Sequence, residues 1–242
     1  MAREPFLSIA APAYNERENI ENVVRSWEAV FARDGIEGEI IIGEDGSTDG
    51  TKDILVELQS ALDNLVVVDH KTNRGYGSAL SSAILRSRGT YVLTIDSDGQ
   101  FDAGEYKLLL SEMGNGYDVV TGYRQGKEDV WLRVLADRVL NLIIRLLFRL
   151  PLRDTNCALK LFRGDIARSL TVEAQGYPTP TELLVRAQTL GFRIGEAGIT
   201  HYKRVGGQSK LHALRTSWHM LLFLAYLKFK QILYRAEVIN AF

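Results

Sequence analysis

The chain of 242 residues carries a single cysteine, Cys157. An internal disulfide is therefore excluded, and a reducing compartment is the expected setting. The neighbours Ala158, Leu159, Leu161 and Phe162 mark this cysteine as a small buried apolar residue rather than a nucleophile. A charged-then-apolar leader is not expected, because Met1–Pro5 runs directly into the first apolar segment. The apolar stretches 131–150 and 218–234 are interrupted by Arg, Lys or His, so neither supplies the 18 or so unbroken residues of a spanning helix. There is no GxxxxGK[ST], which excludes a P-loop. Gly75 and Gly77, in NRGYGSA, lack the third glycine of a dinucleotide fingerprint. With a net charge of −1 and no recognised motif for it, nucleic acid is not an expected partner.

What is present begins with Tyr91-Val92-Leu93-Thr94-Ile95-Asp96-Ser97-Asp98-Gly99-Gln100. An apolar run ends in two carboxylates spaced i and i+2, which an extended chain would point to one side. At the end of a buried strand they form an oxygen-rich corner suited to a hard divalent cation that carries a diphosphate. Two carboxylates so near a core strand need positive compensation. The plainer reading is a polar turn with Gly99 at its corner.

The rest of the first half alternates strands with helices. Phe6–Ala13 reads as a buried strand and Glu18–Phe31 as a helix, with Ile20, Val23, Val24, Trp27, Val30 and Phe31 at helical spacing. Ile40–Ile42 and Leu65–Val68 read as strands, and a helix opens near Asn73–Gly77 and runs to about Arg88. Asp49 fits a capping residue. Acidic or glycine-rich loops follow the strands, where open α/β sheets bind ligands.

The charge is split along the chain. Residues 1–129 hold 12 Lys+Arg against 23 Asp+Glu, giving −11, and residues 130–242 hold 17 against 7, giving +10. Two different partners are expected, a metal with its nucleotide for the acidic half and something anionic for the basic half. Stretches 131–150 and 218–235, apolar and dotted with basic residues, suit a lipid headgroup region, packing on the sheet or a dimer contact.

Taken in order, PAYNE, EDGSTDGT, NRGYGSA, DSDGQ, GYR, DTNCALKLFR, TELL and RVGGQSK span about 200 residues. The series resembles family 2 glycosyltransferases of the GT-A fold, and most of all the dolichyl- or polyprenyl-phosphate sugar synthases. The resemblance implies a Rossmann-like mixed α/β sheet flanked by helices. It implies a transferase domain over 1–212, with a donor and metal half at 1–129 and an acceptor half at 130–212. Residues 213–242 would form a C-terminal amphipathic interfacial helix. Pro12, Tyr14, Glu16, Gly43, Asp45 and Ser97 would line the nucleotide pocket of a GDP- or UDP-sugar. Asp96, Asp98 and Gln100 would hold Mg2+ or Mn2+. Arg124, Arg133, Arg204, Ser209 and Lys210 would surround the phosphates of donor and acceptor, because a guanidinium grips phosphate oxygens in pairs. Asp154 would act as a base or orient the acceptor, or else be a turn aspartate. Glu182 would be an acceptor-side contact or a helix-dipole partner. The implied reaction is one inverting displacement onto a polyprenyl phosphate, at the cytoplasmic face of a membrane to which the protein binds peripherally. A hydroxyl acceptor and a non-catalytic nucleotide-sugar-binding protein are the alternatives.

Overall fold

Strand β1 (Leu7–Ala13) forms over seven uncharged residues, and all seven are buried. In the computed structural model, which describes residues 4–125, 131–203 and 213–242 (without the side chains of 131–137 and 213–217), β1 lies at the heart of a seven-stranded sheet. Parallel to it on either side run β2 (Gly38–Glu44) and β4 (Tyr91–Thr94), and β3 (Leu65–Asp69) extends the sheet beyond β2. Their apolar runs reflect cover on both faces. Helices α1 (Ile20–Asp34), α2 (Thr51–Ala61) and α3 (Tyr76–Arg86) make the crossovers. All six apolar positions expected on the first helix are buried in α1, which ends at Gly35 in the left-handed region.

The second half adds α4 (Tyr106–Met113), β5 (Val119–Gln125), α5 (Trp131–Phe148), β6 (Lys160–Arg163), α6 (Gly164–Ser169), α7 (Thr179–Thr189), β7 (Ile194–Thr200) and α8 (Ala213–Arg235). The strand order is β3-β2-β1-β4-β6-β5-β7. Only β6 runs against its neighbours, antiparallel to both β4 and β5, while β5 and β7 are parallel. This reversal builds the site. The carboxyl ends of β1, β2, β4, β5 and β7 and the amino end of β6 meet at one edge of the sheet.

Strand alternation divides the core in two. Leu7, Ile9, Ala11, Ile40 and Ile42 pack with α1 and α2, whereas Ala10, Ile41 and Val92 pack with α3, α7 and α8. Met220, Leu224, Leu227 and Gln231 form the buried stripe of α8, and Ile144 and Phe148 that of α5. The opposite faces are also apolar. Of the fifteen exposed large hydrophobic side chains among the described residues, ten lie on these two helices, including Leu142 and Leu146 on α5 and Trp218, Leu222 and Phe229 on α8.

Two expectations change, one for the carboxylate pair and one for Glu182. The carboxylates do not sit on extended chain: β4 ends at Thr94, and Asp98 lies in a turn closed by Gly99 at φ +77°. The prolines of 176–180 suit a helix start, with Pro178 at the cap of α7 and Pro180 in its first turn, where a missing N–H costs nothing. Glu182 is not an acceptor contact. It is wholly buried, accepts from the backbone N–H groups of Glu173 and Ala174, and pairs with Arg186.

Candidate active site

The loops at the carboxyl edge are stitched by short polar side chains. Asn15 takes a positive φ of 53°, donates its N–H to Ser47 Oγ and accepts from the N–H of Thr48. The N–H of Glu16 reaches Thr51 Oγ1, and the Glu16 carboxylate accepts from Asn19 Nδ2 at 2.9 Å. Asp49 accepts from the N–H groups of Thr51 and Arg17, so it secures the start of α2 as a capping role requires. These bonds outweigh burial and hold its carboxyl below the ordinary value. Tyr14 stands half-buried at the end of β1, beside this frame.

Three residues expected to line a nucleotide pocket make contacts within the loops and the sheet at this edge. Asp45 is buried and accepts from the N–H groups of Arg74 and Gly75 at 2.9 and 2.8 Å, with His70 Nδ1 at 3.0 Å. Its carboxylate therefore shapes the glycine-rich loop before α3. Gly43 is glycine because a Cβ there would stand 2.1 Å from the carbonyl oxygen of Ala79, so its absence lets α3 settle on β2. Ser97 Oγ donates to the carbonyl of Pro12 at 2.8 Å and ties the carboxylate turn to β1.

Asp96 and Asp98 share this turn. Tyr76, the first residue of α3, donates its hydroxyl to Asp96 Oδ1 at 2.8 Å. Burial and the charge of Asp98 push the Asp96 carboxyl up to about 7, against the pull of the Tyr76 bond, Lys160 and Arg124. Burial and the Asp96 charge likewise keep the Tyr76 phenol protonated, well above its ordinary range. A carboxylate pair that resists ionising alone is a pair suited to a divalent cation, whose charge reverses the penalty. The donor set is hard oxygen, as Mg2+ or Mn2+ prefers. Among the described residues no third His, Cys, Asp or Glu groups with them. The Gln100 carboxamide donates to the carbonyl of Tyr202 at 3.2 Å, and the N–H of Tyr202 returns to the Gln100 carbonyl at 2.9 Å. Gln100 thus joins the carboxylate turn to the chain leaving β7.

Arg124, at the end of β5, grips Asp154 with two bonds, Nε to Oδ2 at 2.6 Å and Nη2 to Oδ1 at 3.0 Å. Asp154 also accepts from the N–H of Asn156. The two residues expected to serve separately are one unit. Arg204, Ser209, Lys210 and the side chain of Arg133 lie outside the described residues.

Sequence reasoning assigned no role to Tyr76, His70 or Lys160. Each belongs to a stretch noted above or beside one, but the partners of Tyr76 and His70, Asp96 and Asp45, are distant in sequence. Lys160 opens β6, has no exposed surface, and directs its ammonium to the carbonyls of Thr155 and Cys157. Cys157 is buried and free, and burial pushes its thiol up to about 12, so it is no nucleophile.

Comparison with known proteins agrees with this geometry. Residues 8–169 match the family described as glycosyl transferase family 2. Among solved structures, the chain is similar to glucosyl-3-phosphoglycerate synthase from Mycobacterium tuberculosis in complex with phosphoglyceric acid. The TM-score is 0.70 at 22% identity, covering 92% of this chain and 80% of that one. The same enzyme with Mn2+ and uridine-diphosphate-glucose gives a TM-score of 0.68 at 21% identity, covering 93% and 79%. At these identities the likeness establishes the GT-A fold.

Proposed function

We propose that this chain, which belongs to glycosyl transferase family 2 and is a glycosyltransferase, moves a sugar from a nucleoside-diphosphate donor to a polyprenyl phosphate at the cytoplasmic face of a membrane. The observation that carries the lipid acceptor is the exposed apolar surface of α5 and α8. Val139, Leu142 and Leu146 recur at helical spacing on α5, as do Trp218, Leu222 and Phe229 on α8. Exposed basic residues, Arg138, Arg145, Arg149 and Arg235, stand among them. Apolar rows beside cations suit burial in a headgroup region, with attraction to anionic lipid. No helix among the described residues is long and apolar enough to cross a membrane, so the contact we propose is peripheral. Residues 1–212 would be the transferase body and 213–242 its interfacial helix.

Asp96 and Asp98 would hold Mg2+ or Mn2+, which neutralises the charge that develops as the nucleoside diphosphate leaves. Tyr76 fixes the orientation of Asp96 by its hydroxyl. Arg124, joined to Asp154 by two bonds, would turn its positive charge toward phosphate oxygens. A phosphate monoester has a second pKa near ~6 and is largely ionised at neutral pH, so it needs no general base. The engagement of Asp154 with Arg124 suits that acceptor better than a hydroxyl, which requires a free base.

The test presents a panel of UDP- and GDP-sugars with Mn2+ to three acceptors: polyprenyl phosphate in anionic vesicles, the dephosphorylated polyprenol, and phosphoglyceric acid. Release of nucleoside diphosphate with polyprenyl phosphate alone is expected. Robust transfer to the alcohol, or to phosphoglycerate in preference to the lipid, would refute the lipid-phosphate reading.

A further inference from the structure

We propose that Lys160 is a buried positioning charge for the donor diphosphate, a fixed cation beneath the carboxylate corner that favours the nucleotide at the expense of the free metal ion. The inference rests on the reading of Asp96 and Asp98 as the metal and diphosphate seat.

Lys160 has no exposed surface and is one of the largest wholly buried side chains. Cations are almost never buried this completely without a paired charge. Among the described residues its hydrogen bonds go to two backbone carbonyls, those of Thr155 and Cys157. A neutral donor could satisfy both oxygens, so those bonds do not explain why the residue carries a charge. Its position does. In the register of β4 and β6, Lys160 lies opposite Thr94, two residues before Asp96. In the register of β5 and β6 it lies opposite Thr121, three residues before Arg124. The reversed strand thus sets one ammonium between the strand that delivers the carboxylates and the strand that delivers the Arg124–Asp154 pair. Burial is the largest influence and, with Arg124, pulls the ammonium down to about 8, whereas Cys157, Asp154 and Asp96 favour its charged form, so Lys160 is still a cation at neutral pH.

A cation in this place acts with opposite sign on the two ligands. It repels a divalent ion bound by the carboxylates alone, and it attracts the diphosphate that arrives with that ion. In a low-dielectric setting the charge is weakly screened, so each effect is on the order of tenfold. The charge is already in place when the diphosphate becomes more negative on leaving, and no reorganisation is needed.

The test uses the full chain. Mn2+ binding without nucleotide and UDP binding at saturating Mn2+ are measured by calorimetry for the wild type, Lys160→Gln and Lys160→Arg, with thermal melts alongside. The glutamine keeps an N–H donor for the carbonyls of Thr155 and Cys157 but removes the charge. Expected for Lys160→Gln is Mn2+ binding unchanged or tightened by up to about tenfold, with UDP binding weakened about tenfold. Lys160→Arg should keep UDP binding within a few-fold of the wild type. Mn2+ and UDP binding weakened together, or neither altered in a folded Lys160→Gln, would overturn the proposal and leave Lys160 a structural residue. If the glutamine variant does not fold, a folded Lys160→Arg that loses UDP binding overturns it, and one that keeps UDP binding supports it. A wild-type chain that binds UDP equally with and without Mn2+ would instead refute the metal reading of Asp96 and Asp98.

Discussion

Replacing Asp154 by asparagine should reveal an ion pair rather than a catalytic base. Arg124 and Asp154 are joined at 2.6 and 3.0 Å, with side chains only 16% and 11% exposed. Two unit charges about 4 Å apart attract by about 4 kcal/mol at an effective dielectric constant of about 20. Removing one partner of a fully buried pair costs about 3–5 kcal/mol, because the other charge stays uncompensated. The residual exposure here lowers that to about 2–3 kcal/mol. For a chain of this size each kcal/mol moves Tm by about 2–4 °C, so Asp154→Asn should melt about 5–10 °C lower. Arg124→Met should cost a similar amount. The double variant should cost less than the sum, with a coupling of about 2 kcal/mol in a denaturation cycle. Polyprenyl phosphate transfer should fall in both single variants, and in Asp154→Asn it should fall with the shape of the pH profile unchanged from the wild type. Additive stability changes would refute the pairing. A lost low-pH limb in the rate profile of Asp154→Asn would restore Asp154 as a base.

Four further outcomes follow from the geometry. Asp98→Asn should cut donor turnover at least about a hundredfold, and EDTA should do the same in the wild type; undiminished activity in either case would remove the metal from the reaction. The metal-free chain should lose stability as pH rises from about 4 to 7 relative to Asp96→Asn, since the folded state retains on Asp96, at about 7, a proton that the unfolded chain has released. Saturating Mn2+ should flatten or reverse that trend in melts from pH 5 to 8, and a metal-free wild type that gains stability relative to Asp96→Asn as pH rises would contradict it. Gly77→Ala should destabilise by about 1–3 kcal/mol or more, because its Cβ would meet the Ala174 carbonyl oxygen at 1.7 Å, and an unchanged Tm would contradict the close approach of α3 to 174–175. Vesicle flotation should show binding to anionic lipid that weakens with salt and falls in a Trp218→Ser, Leu222→Ser, Phe229→Ser variant with unaltered Tm; indifference to lipid together with a concentration-dependent dimer would assign that surface to a second copy.

The strand–helix alternation is legible in the residues alone, because periodicity is a local property. Six apolar residues at helical spacing in α1 and seven uncharged ones in β1 could hardly be placed otherwise. The residues also show which loops carry oxygen donors, since Asp96 and Asp98 sit two residues apart wherever the chain runs. Motif order across some 200 residues was enough to recognise the family. Tertiary structure decided what those donors face. The reversal of β6 is not written in KLFR, yet it alone brings Lys160 opposite Thr94 and draws the 154–158 loop to the carboxyl edge. Asp45, legible as a loop carboxylate, turned inward because the loop 70–75 offered it two N–H groups and an imidazole some thirty residues away. Arg124 and Asp154 were both legible as charged residues near phosphates, but their union depends on β5 and the 154–158 loop meeting side by side. Local pattern fixes which residue types stand at strand ends, whereas partnership among charges depends on distances that only the packed sheet sets.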